Sequence, residues 1–113
     1  MATQTIEFFN DHNLLELLRD HLRPILPSRF PIEGVYEGIP SFHVRICSHH
    51  SFVQRIINTI IEAVGHPGRI DGGGERPTYT EYYWFELNDT RGRSWALIVR
   101  LEPHFIDIRC LDN

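Results

Sequence analysis

Three histidines and a cysteine in one short stretch of the chain could together ligate a metal. They are His43, Cys47, His49 and His50. His43 and Cys47 are four residues apart in a predicted strand, which separates them by about 13 Å. Zinc lies about 2 Å from each of its ligands, so these two side chains cannot share one ion. A smaller site from Cys47, His50 and a distant third ligand stays open, but we predict no metal and no other cofactor.

Cys47 is also a candidate nucleophile, because it precedes a predicted helix and has histidines beside it. The helix dipole and a protonated histidine both lower the pKa of a thiol. Nucleophilic catalysis also needs a group that orients the base, and the sequence identifies none. We therefore predict no catalytic residue and a non-enzymatic protein.

The segment from 66 to 77 is rich in glycine and contains Arg69 and Arg76. Phosphate-binding loops lead from a strand into a helix and often end in Gly-Lys-Ser/Thr, whereas this segment leaves a helix and enters a strand. We predict a mobile surface loop whose two arginines could contact a partner.

Aromatic and arginine residues recur at alternate positions of the predicted strands, so they share one face of the sheet. Trp, Tyr and Arg are enriched in binding hot spots, and an apolar pair such as Trp84 and Ile98 on a solvent face usually marks an interface. Two alternatives to a binding site stay open. Arg100 could form cross-strand pairs with Tyr82 and Asp107 that only stabilise the sheet, or residues 1–9 could cover this face. The predicted partner-binding residues are His43, Arg45, Tyr82, Trp84, Ile98, Arg100, Asp107 and Arg109.

Two predicted turns decide which residues of segment 78–111 face each other. Asp89-Thr90-Arg91-Gly92 suits a type I turn closed by a left-handed glycine, and Pro103-His104 suits a two-residue turn. Both turns place the same apolar residues on the side opposite the arginines, so the two predictions support each other. The predicted pairs are Leu87 with Trp95, Phe85 with Leu97, Tyr83 with Val99, Leu101 with Ile106, Val99 with Ile108, and Leu97 with Cys110.

The elements before this meander complete the predicted fold. Apolar residues at helical spacing predict helices over about 12–22 and 49–64, and strict alternation predicts a strand over 41–47 after a short strand near 35–40. The order α-β-β-α-β-β-β predicts an α+β two-layer sandwich, with an antiparallel sheet of four or five strands and two helices packed on one face. We expect a single domain over 1–113. Residues 1–10 are a lead-in, and two alternatives stay open for it: a flexible segment, or one that packs Ile6, Phe8 and Phe9 onto the domain.

Composition limits the possible functions. The 113 residues carry a net charge of -4, which argues against a protein built mainly to bind nucleic acid. The apolar runs are shorter than a membrane span, so we expect a soluble, cytoplasmic protein. Two cysteines do not make a secreted disulfide framework. All eleven basic residues are arginine, which would suit avoidance of lysine-directed modification.

Three functions remain, and the first is favoured. It is a small protein-binding module of the inhibitor, immunity-factor or adaptor type, such as viruses and mobile elements encode. The module would dock a protein partner, or form a homodimer, through the face that carries the arginine and aromatic residues. The second is binding of single-stranded RNA or a nucleotide on the same face, with bases stacked on Tyr82 and Trp84. The third is a small hydrolase or nuclease using His43 and Asp107 as acid and base.

Overall fold

The computed structural model describes residues 6–26, 32–36, 39–45, 50–72, 81–102 and 105–112. Two helices and six strands follow one another, and all strand pairs are antiparallel in the order β1-β2-β6-β5-β4-β3. The helices are α1 (Asp11–Leu22, continued by a 3-10 turn at Arg23–Ile25) and α2 (His50–Val64); the strands are β1 (Ile32–Tyr36), β2 (Ile39–Arg45), β3 (Arg69–Gly72), β4 (Glu81–Asn88), β5 (Ser94–Leu101) and β6 (Phe105–Asp112). The predicted α+β architecture is confirmed, with one strand more than expected.

Each helix has a recognisable start or end. The side chain of Asn10 accepts a hydrogen bond from the backbone N–H of Asn13 (2.8 Å) and caps α1, as the sequence predicts. Gly65 ends α2 with a φ of 95°, and its N–H donates to the carbonyl of Ile61. Both helices place apolar side chains in the core, namely Leu14, Leu15, Leu18 and Leu22 from α1, and Ile56, Ile57, Ile60, Ala63 and Val64 from α2.

The register of β4, β5 and β6 is the predicted one. Gly92 has a φ of 83°, its N–H donates to the carbonyl of Asp89 (3.0 Å), and the N–H of Asp89 donates to the carbonyl of Arg93 (2.9 Å). All six predicted pairs occur, from Leu87 opposite Trp95 to Leu97 opposite Cys110. Pro103 and His104 lie outside the described residues, but the pairing of Leu101 with Ile106 is the one that their predicted turn requires.

The lead-in packs onto the domain where the structure describes it, through Phe8 and Ile6. Phe8 is 1% exposed and belongs to the hydrophobic core, and its carbonyl accepts a hydrogen bond from the N–H of Thr90 (2.8 Å). The N–H of Ile6 donates to the carbonyl of Ala63 (3.1 Å). Residues 6–10 are therefore hydrogen-bonded to α2 and to the β4–β5 turn. Phe8 is enclosed by the core and does not cover the arginine face.

The glycine-rich segment differs from the prediction. Residues 69–72 form β3, which pairs with β4 so that Arg69 lies opposite Trp84 and Asp71 opposite Tyr82. The glycines made this stretch look irregular, but β4 is an edge that can accept a short strand, and only the tertiary fold provides that edge. Residues 73–77 of the predicted loop, including Arg76, lie outside the described residues.

No helix in the described part of the chain is long and apolar enough to cross a membrane.

Candidate functional site

The face of the sheet turned away from the hydrophobic core is called the open face. It carries all residues of the predicted partner site whose side chains the structure describes. Its residues form two rows that run across the strands. The first row is Asp71, Tyr82, Arg100, Asp107 and His43; the second is Arg69, Trp84, Ile98, Arg109 and Ser41. Arg45 pairs with Phe105 in the backbone register, but its side chain lies outside the described part of the structure. Strand alternation explains this grouping, because neighbouring residues of a strand point to the opposite side of the sheet.

Asp107 is the centre of the first row. It is only 2% exposed. Its oxygens lie 2.6 Å from Arg109 Nε, 3.2 Å from His43 Nδ1 and 3.9 Å from Arg100 Nη2. A carboxylate removed from water is costly unless charged or polar groups surround it. This one accepts a hydrogen bond from Arg109 Nε, and His43 and Arg100 lie within ion-pair distance of it.

The two arginines remain reachable from solvent. The side chains of Arg100 and Arg109 are 30% and 34% exposed. Arg100 Nε lies 3.3 Å from a carboxylate oxygen of Glu102, and its guanidinium lies 5.5 Å from the centre of the Phe105 ring. These contacts restrict the side chain before any partner arrives, which lowers the entropy cost of binding.

The second row combines apolar surface with a stacked arginine. The Arg69 guanidinium lies 4.8 Å from the centre of the Trp84 ring, and its Nε lies 2.6 Å from an Asp71 carboxylate oxygen. Trp84 and Ile98 are half-buried neighbours. Among the described residues, the indole N–H of Trp84 has no acceptor although the nitrogen is buried. Trp84 is thus held by ring contacts rather than by a hydrogen bond.

A groove of about 440 Å³ lies at the end of this row. Trp84, Arg69, Gly68, Phe85, Glu86 and Ala96 line it. Arg69 was predicted as a loop anchor, and the structure instead fixes it on a strand beside the tryptophan. The groove is therefore lined by residues of β3, β4 and β5 together with Gly68.

The metal and nucleophile candidates are not brought together within the described residues. No cluster of three or more His, Cys, Asp or Glu that could hold a metal exists there. Cys47 and His49 lie outside them, and His50 begins α2. Cys110 is a free, buried thiol; burial, followed by the negative charge of Asp11, raises its pKa to about 12. It is protonated at neutral pH and is a poor nucleophile.

His43 and Asp107 do meet, because β2 lies beside β6. Their 3.2 Å contact has the geometry of an acid–base pair. However, Arg109 occupies the same carboxylate more closely, and the imidazole packs edge-on against Phe105 at 5.6 Å between ring centres. The arrangement favours a charge network that fixes the arginines.

The sequence analysis missed one polar site in the β4–β5 turn. The buried Asp89 accepts hydrogen bonds from the N–H groups of Arg91 and Arg93 and from Trp95 Nε1. Burial raises the pKa of this carboxyl, but the bonds from Trp95, Arg93 and Arg91 outweigh it and leave the pKa lowered. An Asp at the first position of a type I turn was the visible signal.

The sequence analysis also missed Ser41, Phe105 and Glu102 of the open face. Ser41 was visible, because it continues the alternation of His43 and Arg45. Phe105 could be placed only after β2 was known to pair with β6. Glu102 follows Arg100 by two residues at the end of β5, where a strand prediction is least certain.

No protein-family model, no curated protein and no solved structure matches this chain.

Proposed function

We propose that this protein is a non-catalytic module that binds a different protein through its open face. The observation that carries the proposal is the pair Arg100 and Arg109, which lie 3.9 Å and 2.6 Å from the buried Asp107 and beside the half-buried Trp84 and Ile98. Held arginines around an apolar centre are the composition of an interface hot spot.

The charge on the open face favours a protein partner over nucleic acid. Among the side chains that the structure describes, the face carries more carboxylates than arginines and so forms no basic patch; they are Asp71, Glu86, Glu102 and Asp107 against Arg69, Arg100 and Arg109. Nucleic-acid binding draws most of its affinity from excess positive charge near phosphates. Mixed charges around an apolar pair instead suit the polar rim and apolar centre of a protein interface.

The test removes the apolar side chains of Trp84 and Ile98 and is designed to keep the sheet folded. Tagged protein captures partners from the cells that express it, and each captured protein is then purified and titrated by calorimetry. The double variant Trp84→Ala/Ile98→Ala should weaken binding by about thirtyfold or more, because hot-spot truncations cost about 2 kcal/mol each and are not fully additive.

The matched control is Ile70→Ala. Ile70 is 54% exposed and neighbours Arg69, but it lies opposite Tyr83 and so points to the other side of β3. It should leave the affinity unchanged. Equal binding by the double variant and the wild type, with both folded by circular dichroism, would refute the proposal.

Two further measurements decide the alternatives. If sedimentation finds a dimer of this chain and the double variant is monomeric, the partner on the open face is a second copy of the chain and not a different protein. Fluorescence anisotropy with a mixed-sequence RNA oligonucleotide at low salt should show no binding; binding that weakens steeply with salt would favour RNA instead.

A further inference from the structure

The backbone of β4 is only partly paired on the side of β3. The hydrogen bond from Asp89 N–H to Arg93 makes Trp84, Glu86 and Asn88 the residues whose N–H and C=O groups point away from β5. Trp84 follows this alternation, because its carbonyl accepts from the N–H of Gly68 (2.8 Å).

Beyond Trp84 the neighbouring strand stops. β3 begins at Arg69, directly opposite Trp84, so Glu86 and Asn88 lie past its end. Within the described residues, no hydrogen bond engages the outward N–H and C=O of Glu86. The segment 85–88 therefore presents an open strand edge about 13 Å long.

The groove of about 440 Å³ lies along this edge. Its lining includes the small residues Gly68 and Ala96, which leave space, and Trp84, which gives it an apolar wall. A Cβ at Gly68 would meet nothing nearer than the Trp84 carbonyl at 3.9 Å. Within the part of the chain that the structure describes, no strand pairs with this edge in the position in line with β3.

We propose that an extended segment of the partner protein adds to the sheet in this position, pairing its backbone with Glu86. The inference rests on the proposed function and names the chemistry of the partner. Unpaired backbone groups select a peptide backbone, and alternate side chains then enter the groove. The Arg69 charge is already engaged by Asp71, so the unbalanced charge at the groove is Glu86, and the partner residue opposite it should be Lys or Arg.

A second copy fits less well. Pairing that is symmetric about Glu86 would set two carboxylates directly opposite each other, which is destabilising.

Proline is the sharpest variant, because it removes a backbone donor. The N–H of Glu86 takes no part in the pairing with β5, so Glu86→Pro should keep the hairpin and lose only the outward donor. Glu86→Gln keeps the donor and removes the charge. Asn88→Pro repeats the test at the next outward position, should the first variant fold poorly. Thermal unfolding checks each variant.

The probe is a phage library of random decapeptides, from which one selected peptide is synthesised with a fluorescent label. Glu86→Pro should weaken its binding about tenfold or more, through the lost hydrogen bond and the displaced backbone, while Glu86→Gln should weaken it by about threefold or less. In NMR exchange measurements, the peptide should protect the amides of Glu86 and Asn88. A library that yields no such peptide, or equal affinity of Glu86→Pro and wild type, overturns strand addition.

The same variants separate this inference from the proposed function. If Trp84→Ala/Ile98→Ala abolishes binding of the captured partner and Glu86→Pro leaves it intact, the open face docks the partner but strand addition is wrong. If Trp84→Ala/Ile98→Ala has no effect on that partner, the docking proposal itself fails.

Discussion

Asp107→Asn tests whether the open face is built on one buried charge. The substitution keeps the size of the side chain and removes its negative charge. Arg109, now 2.6 Å from a carboxylate oxygen, and Arg100, at 3.9 Å, would keep their positive charges with no buried counter-ion between them. We expect a less stable protein in which Arg109 loses its Asp107 carboxylate partner and Arg100 keeps the Glu102 carboxylate.

The size of the effect follows from burial. Removing one partner of a fully buried ion pair costs about 3 to 5 kcal/mol. Arg100 and Arg109 are about one-third exposed and can turn toward water, so we expect the lower value for charge-assisted hydrogen bonds, about 2 to 3 kcal/mol. For a chain of this length that loss lowers the melting temperature by about 10 °C.

Asp71→Asn is the matched control. Asp71 also contacts an arginine Nε at 2.6 Å, but the Arg69 and Asp71 side chains are 61% and 50% exposed. An exposed pair contributes little, so this variant should lose about 0.5 kcal/mol or less. Urea unfolding followed by circular dichroism measures both variants. Equal losses for Asp107→Asn and Asp71→Asn would refute the idea that burial makes Asp107 the centre of the network.

Three further predictions test other parts of the fold. Asp89→Asn should lower the free energy of unfolding at pH 6, and the difference from wild type should shrink below about pH 4. The reason is that a carboxyl whose pKa is lowered by folding stabilises the folded state above its ordinary pKa of 3.8, and this stabilisation is lost as the pH falls through the folded pKa. Urea unfolding at pH 6 and pH 3 measures the difference, and a difference that is the same at both pH values would contradict the prediction. In a Cys47→Ala background, a thiol reagent at pH 8 should label Cys110 only as fast as the protein unfolds, since burial raises its pKa to about 12; labelling at the rate of a free thiol would show an accessible site. Phe8→Ala should lower the free energy of unfolding by about 3 to 5 kcal/mol, and the control Phe9→Ala, at a 53% exposed position, by about 0.5 kcal/mol or less. Equal small losses for the two variants would show that residues 6–10 do not pack on the core.

The sequence by itself determined the faces of the sheet and the positions of the helices. Alternation has a period of two, and the Asp89 to Gly92 turn fixes its phase, so Trp84 and Arg100 had to share a side opposite Phe85. Caps and apolar spacing likewise located α1 and α2. These are local signals, carried by residues that are close in the chain.

Only the tertiary structure decided which distant segments meet. Placing β2 beside β6 set His43 against Asp107, and the edge of β4 turned residues 69–72 into a strand. The packing of Phe8 into the core likewise depended on residues far along the chain. Strand order and burial are chosen by the free energy of the whole packed chain, and no local pattern records that choice.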